Sequence, residues 1–160
     1  MKSYTDIEQS HKLVEILPLE SADMCLTFVN NVWNPVWGKA DDIYQLQKDC
    51  YEPDYTKDDY IDIDEFEPKV VPCWSLAALM DMLPSEFTVK GKYTETTYKI
   101  HIRKYALTKD VDLHQIAYGN YKIYEDGSSS WKDMINTGEK ENLIDAAFQM
   151  ICWLKENKKL

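Results

Sequence analysis

The seven residues TYKIHIR, Thr97 to Arg103, decide the fold class. Tyr98, Ile100 and Ile102 alternate with Thr97, Lys99, His101 and Arg103, the period-two pattern of a strand with one wet face. Upstream, Phe87 to Tyr93 reads as a strand, with Gly91-Lys92 in a turn or bulge. Downstream, residues 106–110 form a hairpin connection, and Leu113–Tyr118 and Tyr121–Tyr124 continue the sheet around a kink at Gly119-Asn120. Residues 125–130 read as a loop, with the serine run 128–130 in a surface turn after Asp126-Gly127.

Helices bracket this meander. Pro72-Cys73-Trp74-Ser75 starts one that runs through Leu76, Leu79, Met80 and Leu83 and stops at Pro84, because the residue before a proline avoids the α region. Asn142, with Asp145 three residues on, caps a last helix carrying Leu143, Ala147, Met150, Ile151 and Leu154. Ala146, Phe148 and Trp153 make its other side apolar too, so it is expected to be buried on most sides. Lys155, Lys158 and Lys159 suit the negative end of its dipole. Helix, antiparallel strands and helix in this order predict an α+β fold, an antiparallel sheet of three to four strands with helices packed on one face.

The N-terminal half is less strongly patterned. Thr5-Asp6-Ile7-Glu8 has capping-box spacing, with Thr5 as N-cap. A helical stripe of Ile7, Leu13, Val14, Ile16 and Leu17 then ends at Pro18. LVEILPLE (13–20) and LMDMLPSE (79–86) close two helices by the same device and do not form a solenoid repeat. Residues 21–31 fit a strand through Met24, Leu26 and Phe28, or a helical face through Cys25, Val29 and Val32. Trp33–Gly38 reads as a turn flanked by tryptophans, and Asp41 as the cap of a short helix with Ile43, Leu46 and Cys50. The whole chain, 1–160, reads as a single domain with an acidic connector at 49–69.

Composition narrows the function classes. The 160 residues are 44% hydrophobic and 29% charged, the balance of a globular protein with a real core. No apolar run reaches the length a membrane helix needs, and MKSYTDIEQSHK lacks the apolar core of a secretory signal. Cysteines 25, 50, 73 and 152 show neither CxxC nor zinc-like spacing, so free thiols in a reducing cytoplasm are expected. The net charge of −10 is uneven. Residues 49–67 hold nine acidic groups against one basic, and residues 88–109 six basic against one acidic. That polarity bears on partners and encounter rates rather than on fold.

LMDMLPSEF, the tyrosine-rich meander and DAAFQMICWLKEN together resemble small uncharacterised proteins of gut-bacterial phages and prophages, over about residues 72–158. The shared motifs are helix stops and core positions. The resemblance implies an intracellular accessory role in a mobile element and carries no established activity.

Catalytic candidates are few. No phosphate-cradling glycine loop, GxSxG or HExxH is present, and no cofactor is expected. Cys73, at the start of a helix and followed by strands bearing His101 and His114, has the order of papain-like hydrolases without their local motifs. The competing reading is a buried core thiol. His101 and His114 meet across the hairpin only in some registers, and they lack a third ligand for zinc, so no metal is expected. Lys90, Lys92, Lys99, Arg103, Lys104 and Lys109, interleaved with Tyr93, Tyr98 and Tyr105, resemble a nucleic-acid groove, but half of any wet strand face is charged and the acidic total opposes a polyanion.

The acidic stretch YEPDYTKDDYIDIDEFEPK (51–69) fails as a calcium loop, because positions five, six and twelve counted from Asp62 are Phe66, Glu67 and Cys73. Three readings remain: a DNA-mimic surface, since Tyr60–Asp64 alternates acids to one side; a partner for the chain's own basic hairpin; or a protein-binding surface. The expectation taken forward is a cytoplasmic protein that binds a protein partner without catalysis. Its candidate contacts are Asp58, Asp59, Tyr60, Asp62, Asp64 and Glu65, joined by Trp33 and Trp37. Neither nucleic acid nor membrane is an expected partner, and the sequence does not set an oligomeric state.

Overall fold

A computed structural model describes residues 2–52, 61, 66–93, 95–108, 111–125 and 128–160. The acidic-segment candidates Asp58, Asp59, Tyr60, Asp62, Asp64 and Glu65, and Lys109 of the basic set, lie outside the described residues. The fold is α+β, with two antiparallel sheets rather than one. The chain divides into two compact units, Tyr4–Ser75 and Leu76–Leu160, the latter joined by Met1–Ser3.

In the first unit, helix α1 spans Ile7–Val14. Its cap is Asp6, not Thr5: Asp6 Oδ1 accepts from the Gln9 N–H at 2.9 Å, and Gln9 Oε1 accepts from the Asp6 N–H at 3.3 Å. Thr5 is occupied elsewhere. It is fully buried, its hydroxyl lies 2.8 Å from Ser10 Oγ, and it accepts from the Trp74 N–H at 3.1 Å.

Strand β1 (Met24–Val29) pairs on one side with β2 (Val32–Trp37) and on the other with β3 (Val70–Cys73). Trp33–Trp37, expected from the sequence to be a turn, is therefore strand. The reversal lies before it, at Asn30 and Asn31, with φ of 52° and 61°. Two successive left-handed residues make the type I′ turn whose twist matches a hairpin, and asparagine tolerates that region better than most side chains. Met24, Leu26 and Cys73 form a buried cluster on which Tyr4, Ile7 and Trp33 pack. Helix α2 (Ala40–Asp49) follows, with Lys39 rather than Asp41 at its N-cap. The Lys39 ammonium donates to the carbonyls of Glu20 and Ala22, at 2.5 and 2.6 Å.

Hydrogen bonding in this sheet alternates in a way that fixes its edges. The Phe28 N–H donates to Lys69 O at 3.0 Å and the Gly38 N–H to Asp23 O at 3.2 Å. Even-numbered residues of β1 thus face β3, and odd-numbered ones face β2. It follows that Pro35 of β2 and Pro72 of β3 both stand where a backbone N–H would point outward. Neither removes a ladder bond, and both deny an incoming strand a donor.

In the second unit, α3 (Leu76–Met82) leads into a meander β4-β5-β6-β7, of Glu86–Lys90, Glu95–Ala106, Asp112–Ile123 and Ser129–Asn136. The kink anticipated at Gly119-Asn120 is a register shift between Asn120 and Tyr121 within one long strand. Ser129 and Ser130 open β7 instead of lying in a turn, because they pair with Ile123 and Lys122. Helix α4 (Leu143–Glu156) is capped as its sequence predicts, Asn142 Oδ1 accepting from the Asp145 N–H at 2.8 Å. Seven of its residues are buried, including Ala146 and Ala147 on adjacent sides. The helices cover the face of Phe87, Ile100, Ile116 and Tyr118. The Phe87 ring lies 4.9 Å from Tyr118 and 6.5 Å from Trp153, and the Tyr118 hydroxyl donates to Pro84 O at 2.6 Å.

Candidate functional site

Cys73 ends a strand and is fully buried; the helix that follows begins only at Leu76. Val70–Cys73 extends because it completes the sheet on β1, and Trp74 and Ser75 stay extended beside Thr5 and Tyr4. Burial foremost, then the nearby Cys25 and Asp23, push its thiol up to about 12. A nucleophilic cysteine needs the opposite shift and an open approach. Cys73 is core.

His101 stands opposite Ala117 and His114 opposite Lys104 in the β5–β6 ladder. Three positions along a strand reverse the side-chain direction, so the two imidazoles project from opposite faces and cannot share an ion. Among the described residues no cluster of three or more His, Cys, Asp or Glu is suited to hold a metal. Burial, and secondarily Arg103, lower the His101 pKa.

The basic residues do not form one groove. Lys99 and Arg103 project from one face of β5 and Lys104 from the other, while Tyr98 turns inward to stack on Phe87 at 5.5 Å. Carboxylates of the same sheet meet several lysines: Lys104 with Asp112 at 2.7 Å, Lys90 with Glu95 at 3.9 Å and Lys99 with Glu86 at 4.0 Å. These exposed pairs are weak individually, but they divide the positive field. Trp33 packs half-buried against Phe28, ring centroids 5.1 Å apart, whereas Trp37 is 70% exposed at the end of β2.

A concavity lies in the first unit, at the ends of the acidic stretch. A groove of about 530 Å³ is walled by Phe28, Cys50, Tyr51, Ile61, Phe66 and Pro68. Tyr51 and Phe66 stack at 3.7 Å with their planes 4° apart, so the chain departs and returns at one point. The Tyr51 hydroxyl donates to Ile61 O at 2.9 Å. The returning limb is tied to α2: Glu67 accepts from the Tyr44 hydroxyl and pairs with Lys48 at 3.1 Å. The hydrogen bond from Tyr44, and then that from Lys48, hold the Glu67 carboxyl below its ordinary range. Lys69 lies over the Phe28 ring at 5.2 Å.

The sequence pointed to the carboxylates and passed over the aromatic residues at the two ends. Tyr51 and Phe66 bracket the run, and an aromatic at each end of a polar insertion is the available signal that its two ends meet. The walls are mostly apolar, and Asn30, Gln47, Glu52, Glu67 and Lys69 supply the polar groups at the groove. No family model, curated protein or solved structure matches the chain. No described helix is long and apolar enough to cross a membrane.

Proposed function

We propose that this chain is a phage- or prophage-derived accessory protein that acts in the cytoplasm by binding another protein, without catalysis of its own. The carrying observation is the groove framed by the Tyr51–Phe66 stack, because its mostly apolar walls sit where a segment with seven carboxylates and one lysine leaves and rejoins the fold. The matching partner is a basic protein segment that inserts one apolar side chain between Phe28 and Ile61. Apolar anchoring supplies residence and the surrounding charge supplies encounter rate and selectivity. Four free cysteines accord with a reducing compartment.

The test is quantitative affinity capture from a bacterial lysate. It compares the natural chain with Asp58, Asp59, Asp62 and Asp64 changed to lysine, and separately with Ile61→Ser. Captured proteins common to the natural chain are expected to drop out with both variants and to weaken as salt rises. An unchanged partner list would sink the proposal. Competition by DNA for the captured protein would point instead to mimicry of a nucleic-acid surface.

A further inference from the structure

We infer that a crevice in the second unit, where α3 and α4 begin, binds a primary ammonium carried on a short alkyl stem, the chemistry that a lysine side chain and a free alkyl amine share. The crevice holds about 450 Å³ and is lined by Leu76, Asp112, His114, Glu141, Asn142 and Leu143, together with Lys2. All of these belong to one compact unit. Asp112 and His114 are two apart on β6, so both project from the face that carries the helices, in line with the fully buried Ile116 and Tyr118. Cover fails beyond Ile116 because the helices have run out: Leu76 is the first residue of α3 and Leu143 the first of α4. His114 and Lys140 exchange two backbone bonds, at 2.6 and 2.8 Å, and these bring Glu141 and Asn142 up to the strand end.

Most charges here are already matched. The Lys2 ammonium donates to Asp145 Oδ1 at 2.8 Å, and Lys104 meets Asp112 Oδ2 at 2.7 Å. The positive end of α4 is met by the Asn142 cap and by the Asp145 carboxylate in its first turn. Two side chains remain. Among the described residues, neither the Glu141 carboxylate nor the His114 imidazole makes a hydrogen bond or an ion pair. One unmatched carboxylate, on a chain of net charge −10, favours a cation and turns away an anion.

The arrangement of acceptors selects the kind of cation. A metal ion draws several ligands to about 2–2.5 Å, and no described cluster of three His, Cys, Asp or Glu is suited to that. A guanidinium favours one planar, two-oxygen partner, whereas an ammonium carries three donors that rotate to meet separate acceptors. Separate acceptors are what the crevice offers. Glu141 supplies a carboxylate, a neutral imidazole at His114 supplies one ring nitrogen, and Asp112 keeps the oxygen that Lys104 does not hold. Leu76 and Leu143 give the methylenes of the stem an apolar wall.

The test titrates isotope-labelled full-length protein with n-butylamine hydrochloride, with Nα-acetyl-lysine amide and with sodium butyrate, at pH 7.5 and low salt. Saturable shifts at the His114, Glu141, Asn142 and Leu143 amides are expected with both amines and not with butyrate. Whichever amine binds tighter names the source, a free alkyl amine or a lysine side chain. Glu141→Gln keeps the size of the side chain and leaves the Asn142 cap in place, and it is expected to weaken amine binding about tenfold. Glu141→Lys is expected to abolish it. The inference is overturned by an equal response to butyrate, by no saturable response at these amides, by undiminished amine binding to Glu141→Gln, or by zinc chloride saturating the same amides at lower concentration than either amine. The groove residues belong to the other unit, so failure here leaves the groove reading standing, and the reverse.

Discussion

The Tyr51 and Phe66 rings stack face to face at 3.7 Å, so an acidic segment strongly repelling itself starts and finishes at one clasp. Aromatic pairs of this kind contribute about 0.5–1.5 kcal/mol beyond the area they bury. Phe66→Ala is expected to destabilise the Tyr4–Ser75 unit by about 1–2 kcal/mol in denaturant unfolding. It should also weaken capture of the groove's partner, while Phe66→Tyr preserves both.

Thiol chemistry separates a core cysteine from a catalytic one. Cys50 is exposed, whereas Cys25, Cys73 and Cys152 are buried, and burial raises both Cys25 and Cys73. Mild iodoacetamide treatment at pH 8 followed by peptide mass spectrometry should label Cys50 alone in the native protein, and all four in denaturant. Rapid labelling of native Cys73 would revive the hydrolase reading.

The Asn30-Asn31 reversal predicts opposite outcomes for two substitutions at one position. Asn31→Gly suits a φ of 61° and should leave stability unchanged or raise it by a few tenths of a kcal/mol. Asn31→Val forces a β-branched side chain into the left-handed region and should cost about 1–2 kcal/mol, read from thermal unfolding.

Glu67 carries a pH signature. Its folded-state pKa is held below the ordinary 4.5 by the Tyr44 hydrogen bond and then by Lys48. The contribution is therefore complete above about pH 4.5 and is lost as pH falls through the depressed folded value. Carbon-detected NMR titration should place the Glu67 carboxyl below an ordinary glutamate, and Tyr44→Phe should move it back up. A titration unmoved by Tyr44→Phe would refute the assigned cause.

The Asn142 cap is testable on its own. Replacing it with alanine removes the acceptor for the Asp145 N–H and should cost about 1 kcal/mol, whereas Asn142→Ser or Asn142→Asp should retain most of the stability.

What was legible follows the physics of each signal. Alternation in Thr97–Arg103 announced β5 because one face is wet, and Asn142 announced α4 because capping is local. The first sheet was harder to read. Four consecutive residues of β1 from Met24 are buried, which erases period-two alternation, and its hairpin turn uses Asn-Asn rather than a glycine pair. Cys73 misled because Pro72-Cys73-Trp74-Ser75 looks like a helix start, and only the distant β1 and Thr5 make it extended. The groove was half legible. Its charge showed in composition, but the Tyr51–Phe66 contact is non-local and no window of sequence displays it.

The placement of β1 between β2 and β3 has a kinetic consequence. The β1–β2 hairpin closes through two residues and can form within microseconds. Strand β3 must come back across roughly forty residues, an entropic cost that precedes any reward. That intervening chain holds the densest negative charge in the molecule, which resists compaction until counterions screen it. Docking of β3 should thus set the folding rate of this sheet, and added salt should accelerate folding more than it slows unfolding.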